Sequence, residues 1–233
     1  MGTFRFKQFS VTDDEASLKV GTDAVLLGAW VRIGDARRLL DVGTGSGVIA
    51  LMLAQRSHPM ARVDAIEIQP KDVKQALFNA SRSPWTGKIA VVEAPVQQFN
   101  ASQPFDLIVS NPPYFSGSLL PPDPSRSAAR HDSTLTYDDL LGSAERLLAP
   151  HGRLGVIIPY LAADGLLKLA ESHGLYPHRL TRFITREGKK PERTLLEFGF
   201  TRIHHSIDYL TLYGIENQWS NEYRKLTANF YLD

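Results

Sequence analysis

Residues 39–56 read "LLDVGTGSGVIALMLAQR". Apolar residues run into Asp41 and Val42, three alternating glycines follow, and a helical apolar pattern takes over from Gly47 to Gln55. This is the signature of a strand, a tight turn and a helix, the unit from which parallel α/β sheets are built. Gly43, Gly45 and Gly47 let the backbone come close to a ligand. A dinucleotide-binding turn is spaced G-x-G-x-x-G, whereas here the spacing is G-x-G-x-G and position 48 is valine, which argues against a dehydrogenase. No Gly-Lys-Ser/Thr follows, so this is not a phosphate-binding P-loop. Asp41, at the strand's end, suits a ligand that carries an amine and would repel a pyrophosphate.

Outward from this unit, short apolar runs alternate with helical patterns. Strands are predicted over Arg38–Val42, Val63–Ile68, Ile89–Glu93, Phe105–Ser110, Arg153–Ile158, Tyr176–Ile184 and Thr194–Arg202. Helices are predicted over Asp23–Val31, Gly47–Gln55, Pro70–Ser81, Tyr137–Leu148 and Ala162–His173, the first of them with Thr22 as N-cap. The alternation predicts a parallel sheet with helices on both faces. Residues 116–134 are rich in proline and serine without apolar period, the mark of a functional or mobile loop. The tail from about residue 206 carries six aromatics and is expected to pack back on the core as a short helix.

The 233 residues suffice for one large core, with net charge +1 and no cysteine. Disulfides, thiolate metal sites and cysteine nucleophiles are therefore excluded. The seven histidines show no metal-binding spacing, so no metal is expected. No apolar run spans a membrane and no secretory leader opens the chain, so a cytoplasmic protein is expected.

The pattern D-x-G-x-G-x-G at 41–47 resembles the first motif of class I S-adenosylmethionine-dependent methyltransferases. S-adenosylmethionine carries an ammonium and a sulfonium and no phosphate, which agrees with the placing of Asp41. The resemblance implies that Asp41, Gly43, Thr44 and Gly45 face the methionine part of that cofactor. Glu67 ends the next strand, where an acid accepts hydrogen bonds from ribose hydroxyls. For Asp41 and Glu67 the plainer alternative is capping of loops. An acid near the cofactor adenine is usual after the third strand, but Pro95 stands there; Glu93 lies two residues earlier, and Phe99 is a candidate for stacking on adenine. Lys19, Thr22 and Asp23, just before and within the first helix turn, are placed beside the cofactor carboxylate, with an ordinary N-cap as the alternative for Thr22 and Asp23.

A second stretch, "IVSNPPYF" at 108–115, bears on the reaction. Two prolines fix the φ angles after Asn111 and remove two N–H donors while their carbonyls remain acceptors. The turn thus offers an amide oxygen, a rigid carbonyl and the ring of Tyr114, but no strong base. Adenine's exocyclic amine is a poor nucleophile because its lone pair is delocalised. Accepting both N–H hydrogens, at Asn111 Oδ1 and the Pro112 carbonyl, aims that lone pair outward, and the base can stack on Tyr114. Asn111, Pro112, Pro113 and Tyr114 resemble the N-P-P-Y signature of amine and amide methyltransferases, which serves adenine, guanine and glutamine side chains alike.

Taken together, "LKVGTDAVLLGAW", "LLDVGTGSGVIALMLAQR", "IVSNPPYF", "ARHDSTLTYDDLL" and "YRKLTANFYL" resemble the bacterial valine-tRNA adenine-N6 methyltransferases, from Phe6 to near the C-terminus. The resemblance implies a Rossmann-like fold with a seven-stranded, mostly parallel sheet, its last strand antiparallel. It implies S-adenosylmethionine as cofactor and a folded tRNA, modified at nucleotide 37, as substrate. One methyltransferase domain over 1–233 is expected: an N-terminal flanking segment at 1–35, a catalytic core at 36–205 and a packed tail at 206–233. RNA contacts are expected from Lys7, from Arg126, Arg130 and His131 in the long loop, and from Arg186, Lys189, Lys190 and Arg193 in a predicted hairpin. The rival readings are methylation of a release-factor glutamine or another RNA amine, and a non-enzymatic binding module that keeps the cofactor fold.

Overall fold

The computed structural model describes residues 2–14, 16–17, 19–114, 135–214 and 217–232. An N-terminal hairpin, β1 (Thr3–Arg5) and β2 (Ser10–Thr12), precedes α1 (Thr22–Trp30). Then follow β3 (Arg38–Val42), α2 (Val48–Arg56), β4 (Arg62–Glu67), α3 (Pro70–Ser81), β5 (Ile89–Glu93) and β6 (Phe105–Ser110). After residues 115–134, α4 (Tyr137–Leu147), β7 (Leu148–Pro159), α5 (Ala163–Ser172), β8 (Tyr176–Arg186), β9 (Arg193–Gly199), β10 (Ile207–Tyr213) and α6 (Asn221–Thr227) complete it.

The main sheet has eight strands in the order β10-β8-β9-β7-β6-β3-β4-β5. Its central strands are apolar on both faces, as a parallel sheet covered twice must be. Alternation divides them: Leu39, Val63, Ala65, Leu107 and Val109 join the core under α1 and α2. Leu40, Val42, Ile66 and Ile108 join the core under α4 and α5. β9 runs antiparallel between β7 and β8, so the expected antiparallel strand is present, but it is not the last: β10 follows.

The expected count of seven is corrected to eight. β10 pairs in parallel with β8 at the edge, from Ile207↔Leu180 to Tyr213↔Arg186. Only Leu210 and Leu212 of β10 are buried, so its short alternation hides within a tail that reads as helical. The expected short helix is also there, as α6, capped by Ser220, whose side chain accepts from Tyr223 N–H. The N-terminal hairpin was not anticipated, because three-residue strands carry too little pattern. Thr22 is corrected as N-cap: Gly21, in extended conformation, precedes the helix with no side-chain cap, and Thr22 lies inside it. Upstream, Asp13 Oδ2 accepts from Val20 N–H at 2.9 Å and ties the approach to the helix.

The two ends of the chain meet. Phe4 and Phe6 lie against Tyr231, with ring centroids 6.0 and 6.1 Å away. Trp219 packs on Tyr223 and Tyr231 at 5.4 and 4.9 Å, and Lys7 N–H donates to the Phe230 carbonyl at 2.8 Å. No helix among the described residues is long and apolar enough to cross a membrane.

Candidate active site

The chain order reverses between β3 and β6: β4 and β5 extend the sheet on one side of β3, and β6 begins the other. In open α/β sheets, ligands bind outside the carboxyl ends of the strands at such a reversal. Val42 pairs with Ser110 in register, and Ser110 Oγ donates to the Val42 carbonyl at 3.0 Å. The next residues on the two strands, Gly43 and Asn111, therefore leave the sheet side by side. The glycine loop and the Asn-Pro-Pro-Tyr turn form one crevice.

Gly43, Gly45 and Gly47 all have positive φ, at 70°, 53° and 84°. A Cβ on Gly43 or Gly45 would meet nothing within 4 Å, whereas one on Gly47 would lie 3.4 Å from the Ala76 Cα. Open space thus flanks the first two, while the third lies against α3. Beneath the loop, Asp41 is fully buried. Its Oδ2 accepts from Thr44 Oγ at 2.6 Å and from Ala50 N–H at 3.0 Å, and its Oδ1 has no partner. Burial pushes the Asp41 carboxyl up to about 7, against the pull of the two hydrogen bonds and with added repulsion from Glu67. The expectation that Asp41 faces the ligand directly is corrected: Thr44 and Ala50 draw it under the loop. Thr44 is likewise turned inward, onto Asp41.

Glu67 ends β4 and ties three backbone amides. Gly45 N–H donates to its Oε2 at 3.0 Å, and Ile68 and Gln69 N–H donate to Oε1 at 2.8 and 3.1 Å. A carboxylate has about four acceptor positions, so about one remains for a ribose hydroxyl. The register pairs Glu67 with Glu93, which is exposed at the end of β5, so two acids stand together at this edge. Phe99 turns away from it: its ring stacks on Phe105 at 6.3 Å in the core. Lys19 is engaged at the N-terminal segment, its ammonium donating to the Asp13 carbonyl at 2.5 Å.

On the other side of the crevice, Asn111 is half-buried, Pro112 buried and Pro113 exposed. Tyr114 keeps 39% of its surface exposed. The Tyr114 hydroxyl lies 2.5 Å from Asp23 Oδ2 and 3.2 Å from Asn111 Oδ1. Arg193 donates from Nε to the same Asp23 oxygen at 2.9 Å, and its guanidinium lies over the Tyr114 ring, 4.7 Å from the centroid. Burial, then the bond to Asp23, raises the Tyr114 pKa, so the phenol stays protonated. For Arg193, burial works against the charge but is outweighed by Asp23, and the pKa is raised. Arg193, expected among the RNA contacts, lies on Tyr114. Nothing in the sequence joins residues 23 and 193, so this cluster was not legible.

Two further stitches escaped the sequence. Asn79 Nδ2 donates to the Ser46 carbonyl and to the Thr12 carbonyl, both at 2.8 Å, and Asn79 Oδ1 accepts from Thr12 N–H at 2.9 Å. One amide on α3 thereby fastens the N-terminal hairpin to the glycine loop. Arg186, Lys189 and Lys190 are exposed at the turn between β8 and β9, where the hairpin was expected. Lys7 is exposed in the turn after β1. Arg126, Arg130 and His131 lie outside the described residues. Among the described residues no group of three His, Cys, Asp or Glu could hold a metal.

The sheet order, the glycine loop and the neighbouring Asn-Pro-Pro-Tyr turn define a class I methyltransferase, a class that uses S-adenosylmethionine. The family description "Methyltransferase domain" matches residues 33–199. A predicted O-methyltransferase from Agrobacterium tumefaciens superposes with a TM-score of 0.69 at 19% identity, over 89% of this chain and 96% of that one. TrmN from Thermus thermophilus does so at 0.58 and 26% identity, over 79% of this chain and 51% of that one. The tRNA1(Val) (adenine(37)-N6)-methyltransferase of Bacteroides fragilis strain YCH46 is 46% identical over 98% of this chain and 97% of its own length. The protein of that name from Aeromonas hydrophila is 43% identical over 98% and 97%. The chain belongs to the tRNA1(Val) (adenine(37)-N6)-methyltransferase family.

Proposed function

We propose that this chain transfers a methyl group from S-adenosylmethionine to N6 of adenine 37 in a valine tRNA. The observation that carries the reading is the register of Val42 with Ser110, which sets Gly43 beside Asn111 at the sheet's reversal. The crevice fits the cofactor: Gly43 and Gly45 leave room for it, and Glu67 with Glu93 offers carboxylates for ribose. Asp41, sealed beneath the loop, shapes the glycine turn by holding Thr44 and the Ala50 amide. When bound, S-adenosylmethionine supplies an electrophilic methyl group on sulfur.

The chain's own residues handle the amine. Asn111 Oδ1 and the Pro112 carbonyl accept its two hydrogens and direct its lone pair, so rate comes from orientation and fixed dipoles. No residue of the turn is a base, and none is needed, because an alkylated amine is acidic enough to release its proton to water. Reaching N6 in a folded tRNA requires the base to leave its stack. One face of Tyr114 is covered by Arg193, which leaves the other for the extruded adenine. The exposed Arg186, Lys189 and Lys190 serve phosphates near the pocket. A tRNA substrate implies the cytoplasm.

The test is Asn111→Ala assayed with tRNA and with labelled cofactor. Methyl transfer is expected to fall at least about 100-fold, while calorimetry still shows cofactor binding. Full activity in that variant would refute the role given to Asn111.

A further inference from the structure

We infer that Asp23 and Arg193 form a positioning pair that keeps the acceptor oxygen of Asn111 open. The inference rests on the proposed amine chemistry and adds to it residues on two elements remote in sequence. Tyr114 has one hydroxyl hydrogen and two acceptors within reach, Asp23 Oδ2 at 2.5 Å and Asn111 Oδ1 at 3.2 Å. A carboxylate is the stronger acceptor and here also the nearer one, so it takes the hydrogen. The amide oxygen of Asn111 is thereby left with its lone pairs for the substrate amine. Without Asp23, the same hydroxyl would turn its hydrogen to Asn111 and compete with that amine.

Arg193 supports the arrangement in two ways. Its Nε–H donates to the same Asp23 oxygen at 2.9 Å, which keeps the carboxylate aimed. Its guanidinium lies on the ring of Tyr114, which fixes the ring and closes one face, so the base has a single face to use. The three side chains come from the first turn of α1, the start of β9 and the turn after β6. Pro159 pairs with Arg193 in register, which anchors that guanidinium to the rigid sheet rather than to a surface loop. Neither Asp23 nor Arg193 is assigned contact with substrate.

The experiment compares Asp23→Ala, Tyr114→Phe and the double variant in the full chain, with tRNA as substrate. Asp23→Ala is expected to lower kcat by about tenfold, the cost of one misdirected hydrogen bond, with cofactor affinity from calorimetry unchanged. Adding Tyr114→Phe removes the competing hydrogen, so the double variant is expected to recover to the level of Tyr114→Phe alone. A double variant no better than Asp23→Ala overturns the inference. Should Asp23→Ala fail to fold, Asp23→Asn, which keeps the shape, carries the same comparison. Arg193→Met gives an independent reading: kcat falls while the salt dependence of tRNA binding keeps its slope. A slope reduced by about one neutralised phosphate would make Arg193 an RNA-binding residue and overturn the pairing. Absence of tRNA methylation by the unaltered protein would instead refute the proposed function, so the two failures are distinguishable.

Discussion

Asp41 holds a proton in the folded state that the unfolded chain gives up. Its carboxyl is pushed up to about 7 from a usual value of 3.8, chiefly by burial. Between those values the folded form binds the extra proton, so this residue's contribution to stability falls as pH rises through the window and levels off above about 7. Asp41→Asn keeps an oxygen for Thr44 and Ala50 and removes the charge. Urea unfolding across this range is expected to show a flatter pH dependence in the variant. Gly45 and Gly47 separate two costs of a methyl group. Both have positive φ, so alanine at either strains the backbone by roughly 1–2 kcal/mol. At Gly47 the Cβ would make ordinary contact with Ala76, while at Gly45 it enters open space. Stability is expected to fall similarly for both, and cofactor affinity more for Gly45→Ala. At this scale the types of residue were legible and their partners were not. Glycines and acids announce a loop, but whether Asp41 points at ligand or beneath the loop depends on Thr44 and Ala50, and that choice is made by packing.

Helices α4 and α5 are joined by one titratable bridge: His173 lies 3.0 Å from both Asp138 and Glu145. Burial works against its charge, but the two acids prevail and its pKa is raised above 6.5. The stabilisation is therefore fully present below about 6.5 and is lost as pH rises through the raised value. His173→Gln is expected to remove that pH dependence, as read from thermal melting on either side of it. The hairpin of β8 and β9 makes a second prediction at this scale. Replacing Arg186, Lys189 and Lys190 together by alanine is expected to weaken tRNA binding and lower its salt slope by about 0.9 for each phosphate no longer neutralised. Elements with a full apolar period were legible to within a few residues: α3 was expected and found at Pro70–Ser81, and β3 at Arg38–Val42. β10 was missed because two buried leucines make too short an alternation. Its Tyr209 also breaks the rule that aromatics in the tail hide from water, since it is 58% exposed and reached by Arg182 at 3.2 Å.

Across the whole molecule, the crevice is walled by segments far apart in the chain. α1 supplies Asp23, the turns after β3 and β6 supply the glycine loop and Asn111, and β9 supplies Arg193. The N-terminal hairpin reaches the same place through Asn79, which bonds both Thr12 and Ser46. Asn79→Ala is expected to loosen the glycine loop without touching ligand, weakening cofactor binding severalfold, with a stability loss of about 1–3 kcal/mol from the backbone groups left unpaired. The sequence pattern discloses the central sheet because each strand's alternation is local. It is silent on these walls, because contacts between distant segments leave no local period.

The aromatic seam between Phe4, Phe6, Trp219 and Tyr231 has a consequence for biogenesis. On the ribosome the early partners emerge first and wait, greasy and unsheathed, for rings that come almost a full chain later. Until then the hairpin that buttresses the glycine turn is held by Asn79 but lacks these rings. Catalytic competence should thus wait for the segment that carries Trp219 and Tyr231. A permutant that places residues 217–232 directly ahead of the hairpin should shorten that wait.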